Sequence, residues 1–160
     1  MIEIVRVRYD DPAHAAALIG LLDAYARDPA GGGEPLSDFA RAKLIAELAA
    51  RPFIFSVLAF DGGTPVGLVN AIEGFSTFAC RPLVNVHDVV VAPSHRGRGI
   101  AAQLFAEVEA IARERSACKL TLEVLEGNAP AHALYRRLGF AAYQLDPGMG
   151  EAQFLQKWLD

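Results

Sequence analysis

Apolar and polar positions change period several times along the chain, and each change marks an element. Ile2, Ile4 and Val7, edged by charged neighbours, predict a short first strand. Ala15, Leu18, Ile19, Leu22 and Tyr25 then recur at helical spacing, with Asp10 or Asp11 as the cap and Pro12 near the first turn. Residues 28–35 are rich in glycine and proline and read as a loop. Ser37 or Asp38 starts a second helix carrying Phe39, Leu44, Ile45 and Leu48, and the alanines of this region favour helix. Residues 53–60 and 65–78 are β-branched and aromatic, and Asp61-Gly62-Gly63 between them predicts a hairpin. The run 83–92 is apolar at most positions, as in a strand buried on both faces. Ile100, Leu104, Val108 and Ile111 lie along one face of a helix. A strand over 119–125 and a turn at Gly127-Asn128 follow. Ala131, Leu134 and Leu138 then predict a short helix closed by Gly139. Residues 141–145 and 152–159 read as two last strands around a turn. The predicted order is β-α-α-β-β-β-α-β-α-β-β, a single α/β domain over residues 1–160 with a mixed sheet.

Composition narrows the classes this pattern allows. A hydrophobic fraction of 52% against 21% charged residues is that of a globular chain with a sizeable core. The formal net charge of -4, with no helix that has a basic face, argues against a nucleic-acid partner. No apolar run is long enough to span a bilayer, so no membrane partner is expected. The opening MIEIVRVRYDD is strand-like and lacks a signal-peptide core, which makes the cytoplasm the expected location. Cys80 and Cys118 are too few for a disulfide framework, and His14, His95 and His132 show no ligand spacing, so no metal is expected.

The chemistry begins at VAPSHRGRGIA (91–101), between the apolar strand and the long amphipathic helix. Such a junction exposes helix N-terminal amides, which favour an anion. Gly97 and Gly99 permit unusual dihedrals and close backbone approach, and Arg96 and Arg98 add positive charge. The residues alone leave two readings open: a phosphate cradle, or a glycine-marked turn with two solvated arginines. Neither the P-loop pattern nor the triple-glycine dinucleotide fingerprint is present.

The run Arg96-Gly97-Arg98-Gly99-Ile100-Ala101 resembles the acyl-CoA-binding motif Gln/Arg-x-x-Gly-x-Gly/Ala of the GNAT superfamily of N-acetyltransferases. LEVLEGNAPAHALYRRLGF (122–140) resembles that family's second signature, and the element order agrees along nearly the whole chain. GFSTF (74–78) and VHDVVVAP (86–93) look like its diamine- and polyamine-acetyltransferase branch, although His87-Asp88 stands where that branch usually has Glu-Asp. The resemblance implies a GNAT-like fold with a mostly antiparallel central sheet flanked by helices. It also implies acetyl-CoA as cosubstrate, held by amides around Arg98, Gly99, Ile100 and Ala101. Backbone groups at Val89, Val90 and Val91 would line the acyl arm, with an amide at Val90 or Val91 polarising the thioester carbonyl. Asn128, near Ala131, would either bond the pantetheine arm or cap its helix.

The implied activity is transfer of the acetyl group to a primary amine of a small molecule, by direct attack in a ternary complex. Tyr135 is the implied proton donor to the leaving sulfur, since a phenol is protonated at neutral pH. His87 is the candidate general base, because imidazole titrates near neutrality. Asp88 would bind the amine, order a loop or act through water. In a regular strand His87 and Asp88 point to opposite faces, so only a bulge would change which of them meets the substrate. Glu73 and Glu123 either line the cleft or face solvent. Phe75, Phe78 and Tyr25 either shape an apolar acceptor pocket or belong to the core. Phe154 and Trp158 share one face of the last predicted strand, where the family often pairs subunits, so a homodimer is possible. The alternatives are a peptide or protein N-acetyltransferase of the same fold, and a non-catalytic acyl-CoA-binding domain.

Overall fold

A computed structural model describes residues 1–159 as two compact units. The first, Met1–Leu122, holds a five-stranded sheet in sequential order. Its elements are β1 (Ile2–Arg6), α1 (Pro12–Arg27), α2 (Asp38–Ala49), β2 (Ile54–Asp61), β3 (Thr64–Ser76), β4 (Arg81–Val91), α3 (Ile100–Glu114) and β5 (Leu120–Leu122). Strands β1 to β4 are antiparallel neighbours, and β5 joins β4 in parallel. Gly62 and Gly63, both with positive φ, make the two-residue turn between β2 and β3. The Asp11 carboxylate caps α1 through the amides of Ala13 and His14, and Ser37 caps α2 through Ala40.

The sheet carries a core on each face. Leu58, Leu68 and Val90 follow one another across β2, β3 and β4, and pack with Ala17, Leu18 and Leu21 of α1 and Leu48 of α2. On the other face α3 buries Ile100, Leu104, Phe105, Val108 and Ile111. A Cβ on Gly67 of β3 would stand 2.9 Å from Leu104 Cδ1 and 3.2 Å from Ile100 Cγ2. The glycine therefore lets the first turns of α3 rest directly on the strand.

The second unit begins at Glu123 and contains α4 (Ala129–Arg137). The structure departs from the predicted elements here and at the end of the first unit. Strand β5 has three residues rather than seven, because only Leu120, Thr121 and Leu122 pair in register with β4, although Cys118 and Lys119 also share backbone bonds with it. Residues 141–145 and 152–159 form no strands among the described residues. Apolar content alone does not make a strand; a ladder does. One backbone bond joins these two segments, from the Ala152 amide to the Tyr143 carbonyl at 3.1 Å. Phe154, Leu155 and Trp158 are exposed.

Candidate functional site

The turn after β4 has the backbone of an anion cradle. Gly97 and Gly99 both adopt left-handed dihedrals, with φ of 76° and 75°. A Cβ at either position would meet nothing within 4 Å, so the glycines serve the backbone path rather than relieve crowding. Gly99 is the N-cap of α3 and brings no side chain to cap it. The first amides of α3 therefore point out of the helix unbonded to any capping group, at the positive end of a 15-residue dipole. A pyrophosphate fits this donor set.

The two arginines of the run are anchored within the fold. Arg98 pairs with Asp61 at 3.1 Å, and His95 Nε2 lies 3.5 Å from the same carboxylate. The Met1 amino group and Arg98 together hold Asp61 below the usual carboxylate range. Arg96 donates from Nε to the Val91 carbonyl at 3.2 Å and reaches Asp28 at 3.6 Å. These contacts tie the cradle to the end of β2 and to the loop after α1. The arginines shape the loop, while the glycine-shaped backbone presents the donors.

Strand β4 leads into this turn and breaks its own alternation on the way. Asn70 of β3 pairs with Asp88 and Ala71 with Val86, so His87 is an extra residue, a β-bulge. Val84 and Val86 lie on the α3 face with Glu73 and Ala71; beyond the bulge the phase inverts, and Asp88 and Val90 join Asn70 and Leu68 on the α1 face. The regular strand expected at His87 and Asp88 is thus interrupted by a bulge. His87 is exposed and Asp88 half-buried. The ladder to β5 stops at Val86–Leu122, whereas β4 continues to Val91. One edge of Val89, Val90 and Val91 runs on past its parallel partner.

Asp88 ends a chain of hydrogen bonds that no sequence motif announced. Asn70 Nδ2 donates to Asp88 Oδ2 at 3.0 Å, Ser56 Oγ donates to Asn70 Oδ1 at 2.6 Å, and Tyr9 OH lies 2.9 Å from Ser56 Oγ. The one available signal was a polar residue interrupting each of two apolar strands, Ser56 in FIFSVLAF and Asn70 in PVGLVNAIEG. Burial raises the Tyr25 hydroxyl pKa above its ordinary value, and the charges of Asp88 and Asp28 add to the shift.

In the second unit, Asn128 caps α4, its Oδ1 accepting the Ala131 amide at 3.3 Å. The other end of α4 explains the spacing Tyr-x-x-x-Gly-Phe. The Phe140 amide bonds the Tyr135 carbonyl at 2.9 Å, the Gly139 amide bonds that of Arg136 at 3.1 Å, and Gly139 has φ of 91°. This is a Schellman motif, and its usual apolar contact is the edge-on packing of Tyr135 against Phe140, with centroids 5.9 Å apart. The motif fixes the last turn that carries Tyr135.

Other candidates take structural places. Glu73 pairs with Arg115 at 2.9 Å, and that guanidinium lies 4.7 Å above the Phe55 ring. Glu123 is exposed at the start of the second unit. Phe75 and Phe78 are exposed near the β3–β4 turn, and Tyr25 packs against the core. Cys80 and Cys118 are free thiols. Among the described residues, no cluster of three or more His, Cys, Asp or Glu could hold a metal ion, and no helix is long and apolar enough to cross a membrane.

A sequential sheet with an overrunning β4, a bulge, and a glycine turn into a helix without a side-chain cap define an α/β protein whose fourth strand leads straight into an exposed helix N-terminus. Residues 18–140 match the model of the Acetyltransferase (GNAT) family, and the chain belongs to that family. Among curated relatives, the streptothricin acetyltransferase of Streptomyces lavendulae is 35% identical over 123 residues, 64% of this chain and 65% of that protein. The aminoglycoside N(6')-acetyltransferase type 1 of Acinetobacter haemolyticus is 25% identical over 97 residues, 59% of this chain and 67% of that protein. Elsewhere the matched stretch falls to 28% of the relative's length. The crystal structure of a probable acetyltransferase shares the fold, with a TM-score of 0.82 and 19% identity over 99% of both chains.

Proposed function

We propose that the chain is an acetyl-CoA-dependent N-acetyltransferase, a single catalytic domain that acetylates a primary amine of a small molecule by direct attack in a ternary complex. The observation that carries this reading is the pairing of cradle and strand. Left-handed Gly97 and Gly99 open the uncapped α3 at the end of β4, and the bulge of that strand turns Asp88 to the face of α1 and α2.

When bound, acetyl-CoA supplies the activated acetyl thioester. The amides around Arg98, Gly99, Ile100 and Ala101 hold its pyrophosphate, with Arg96 and Gly97 keeping the loop in shape. The edge of β4 that β5 leaves uncovered, at Val89, Val90 and Val91, bonds the acyl-bearing arm through groups other than the Val91 carbonyl, which Arg96 already holds, and an amide there stabilises charge on the thioester carbonyl oxygen. Asp88 receives the ammonium group of the acceptor, and the exposed His87 beside it takes up the proton whose loss frees the lone pair for attack. Tyr135 gives its phenolic proton to the departing sulfur, and the second proton, shed by the nitrogen after attack, restores the phenol. Asn128 and Ala131 act by fixing the first turn of α4. The free thiols fit the reducing cytoplasm. The matched relatives are named for acetylating streptothricin and aminoglycosides, which supports a soluble, amine-bearing acceptor.

The test is CoA-thiol release from acetyl-CoA over a panel of small amines, amino acids and peptides. Release that depends on a small amine supports the reading. Release with peptides alone moves the acceptor to protein, and no acceptor-dependent release over a broad panel overturns it.

A further inference from the structure

Ser56 and Asn70, 2% and 6% exposed, are buried polar side chains in strands that otherwise bury Val57, Leu58, Leu68 and Val69. Burying polar groups costs free energy unless they are paired, and a well-packed apolar pair at these positions would carry no such cost. These two residues are cross-strand partners, and Asn70 is in turn the partner of Asp88. The row therefore runs across three adjacent strands and ends on a half-buried carboxylate.

The row has a direction. Asn70 gives an N–H to Asp88 Oδ2, and its carbonyl oxygen receives the Ser56 hydroxyl proton. Ser56 Oγ, having spent its proton, is left to accept from Tyr9 OH at 2.9 Å. Every donor points toward the carboxylate, so each link polarises the next in its favour. The row is not a proton wire. Asn70 accepts at Oδ1 and donates at Nδ2, and moving a proton through it would require the imidic acid form of the amide. What such a row does is hold orientation and charge.

We propose that Asn70, backed by Ser56 and Tyr9, is a positioning residue that fixes the Asp88 carboxylate by one oxygen and leaves the other to receive the acceptor amine. This rests on the reading of Asp88 as the amine-binding group. Ionisable groups near the row include Tyr25 from α1, whose hydroxyl responds to the charge of Asp88, His87 beside Asp88 on β4, and Tyr9 at the far end.

The experiment measures kcat and KM for both substrates against pH, in the full chain, for Asn70→Ala, Asp88→Asn and the double variant. Loss of one hydrogen bond to an ionised group is expected to lower kcat/KM for the amine about 10- to 100-fold in Asn70→Ala. KM for acetyl-CoA should stay within about twofold. In the Asp88→Asn background the same substitution should cost under about threefold, because the group being positioned is gone. Ser56→Ala and Tyr9→Phe carry the same test should Asn70→Ala fold poorly, with losses that shrink along the row. Equal losses from Asn70→Ala in both backgrounds overturn the proposal, as does a folded Asn70→Ala enzyme with unchanged kcat/KM. Wild-type activity in Asp88→Asn overturns the underlying reading of Asp88 and this proposal with it. An impaired Asp88→Asn beside unimpaired Asn70→Ala overturns the positioning role alone.

Discussion

Replacing Gly99 with aspartate separates the stability of the cradle from its affinity. The residue caps α3 at φ 75° and ψ 11°, is exposed, and leaves open space where a Cβ would go. The substitution therefore causes no clash. It costs about 1 to 2 kcal/mol for a left-handed L-residue, and a carboxylate at the positive end of α3 returns about 0.3 to 1 kcal/mol. The net loss of stability is about 1 kcal/mol. Ligand binding feels a different term. A new negative charge about 5 Å from a phosphate costs roughly 1 to 3 kcal/mol between the limits of water and an effective dielectric near 20. That weakens CoA binding about 5- to 150-fold. Gly99→Ala is the control, since it carries the strain without the charge and should bind within about threefold of the parent. Calorimetric titration with CoA at low and high salt, beside urea unfolding, reads both terms. The gap between the aspartate and alanine variants should narrow as salt rises. Unchanged affinity in Gly99→Asp, or equal losses in both variants, refutes the cradle.

Other predictions concern single residues elsewhere in the chain. Tyr135→Phe should lower kcat about a hundredfold while sparing acetyl-CoA affinity; unchanged kcat under chemistry-limited conditions removes the acid role. Gly67→Ala places a Cβ 2.9 Å from Leu104 and 3.2 Å from Ala59 and Ile100, all fully or nearly fully buried. It should cost about 1 to 3 kcal/mol in urea unfolding and weaken CoA binding by displacing the start of α3; wild-type values of both would show that the contact relaxes freely. Asp61 is the pH-sensitive anchor. Its folded pKa is lowered by the Met1 amino group and Arg98, so its stabilising effect is present above the unfolded value near 4 and is lost as pH falls through the folded one. Thermal melts of Asp61→Asn should be less stable than the parent at neutral pH and should converge with it in acid, and parallel curves at all pH values contradict the anchor.

Much of the fold was legible because its signals are local. Helical spacing through Ile100, Leu104, Val108 and Ile111, the Gly62-Gly63 turn, and Gly139 as a helix stop each act within a few residues, and each stands where the pattern put it. The glycine pair of the cradle was legible for the same reason. The bulge was not, because an extra residue at His87 appears only when β3 supplies the register. The ion pairs of Arg96 with Asp28 and Arg98 with Asp61 join residues far apart in the chain, and the Tyr9–Ser56–Asn70–Asp88 row spans four segments. Ser56 and Asn70 were visible as polar interruptions, but their partnership depends on strand pairing. Residues 152–159 failed in the opposite sense: Phe154 and Trp158 share a parity, and no ladder forms on the segment.

The central claim is that an acetyl group passes from acetyl-CoA to an amine on this chain. The most direct measurement incubates the purified protein with acetyl-CoA and a small amine. It then quantifies acetylated amine by mass spectrometry against free CoA over the same interval. Equal amounts of the two, abolished when either the protein or the amine is left out, are what the account predicts. CoA release without acetylated amine, at a rate indifferent to the acceptor, would contradict it.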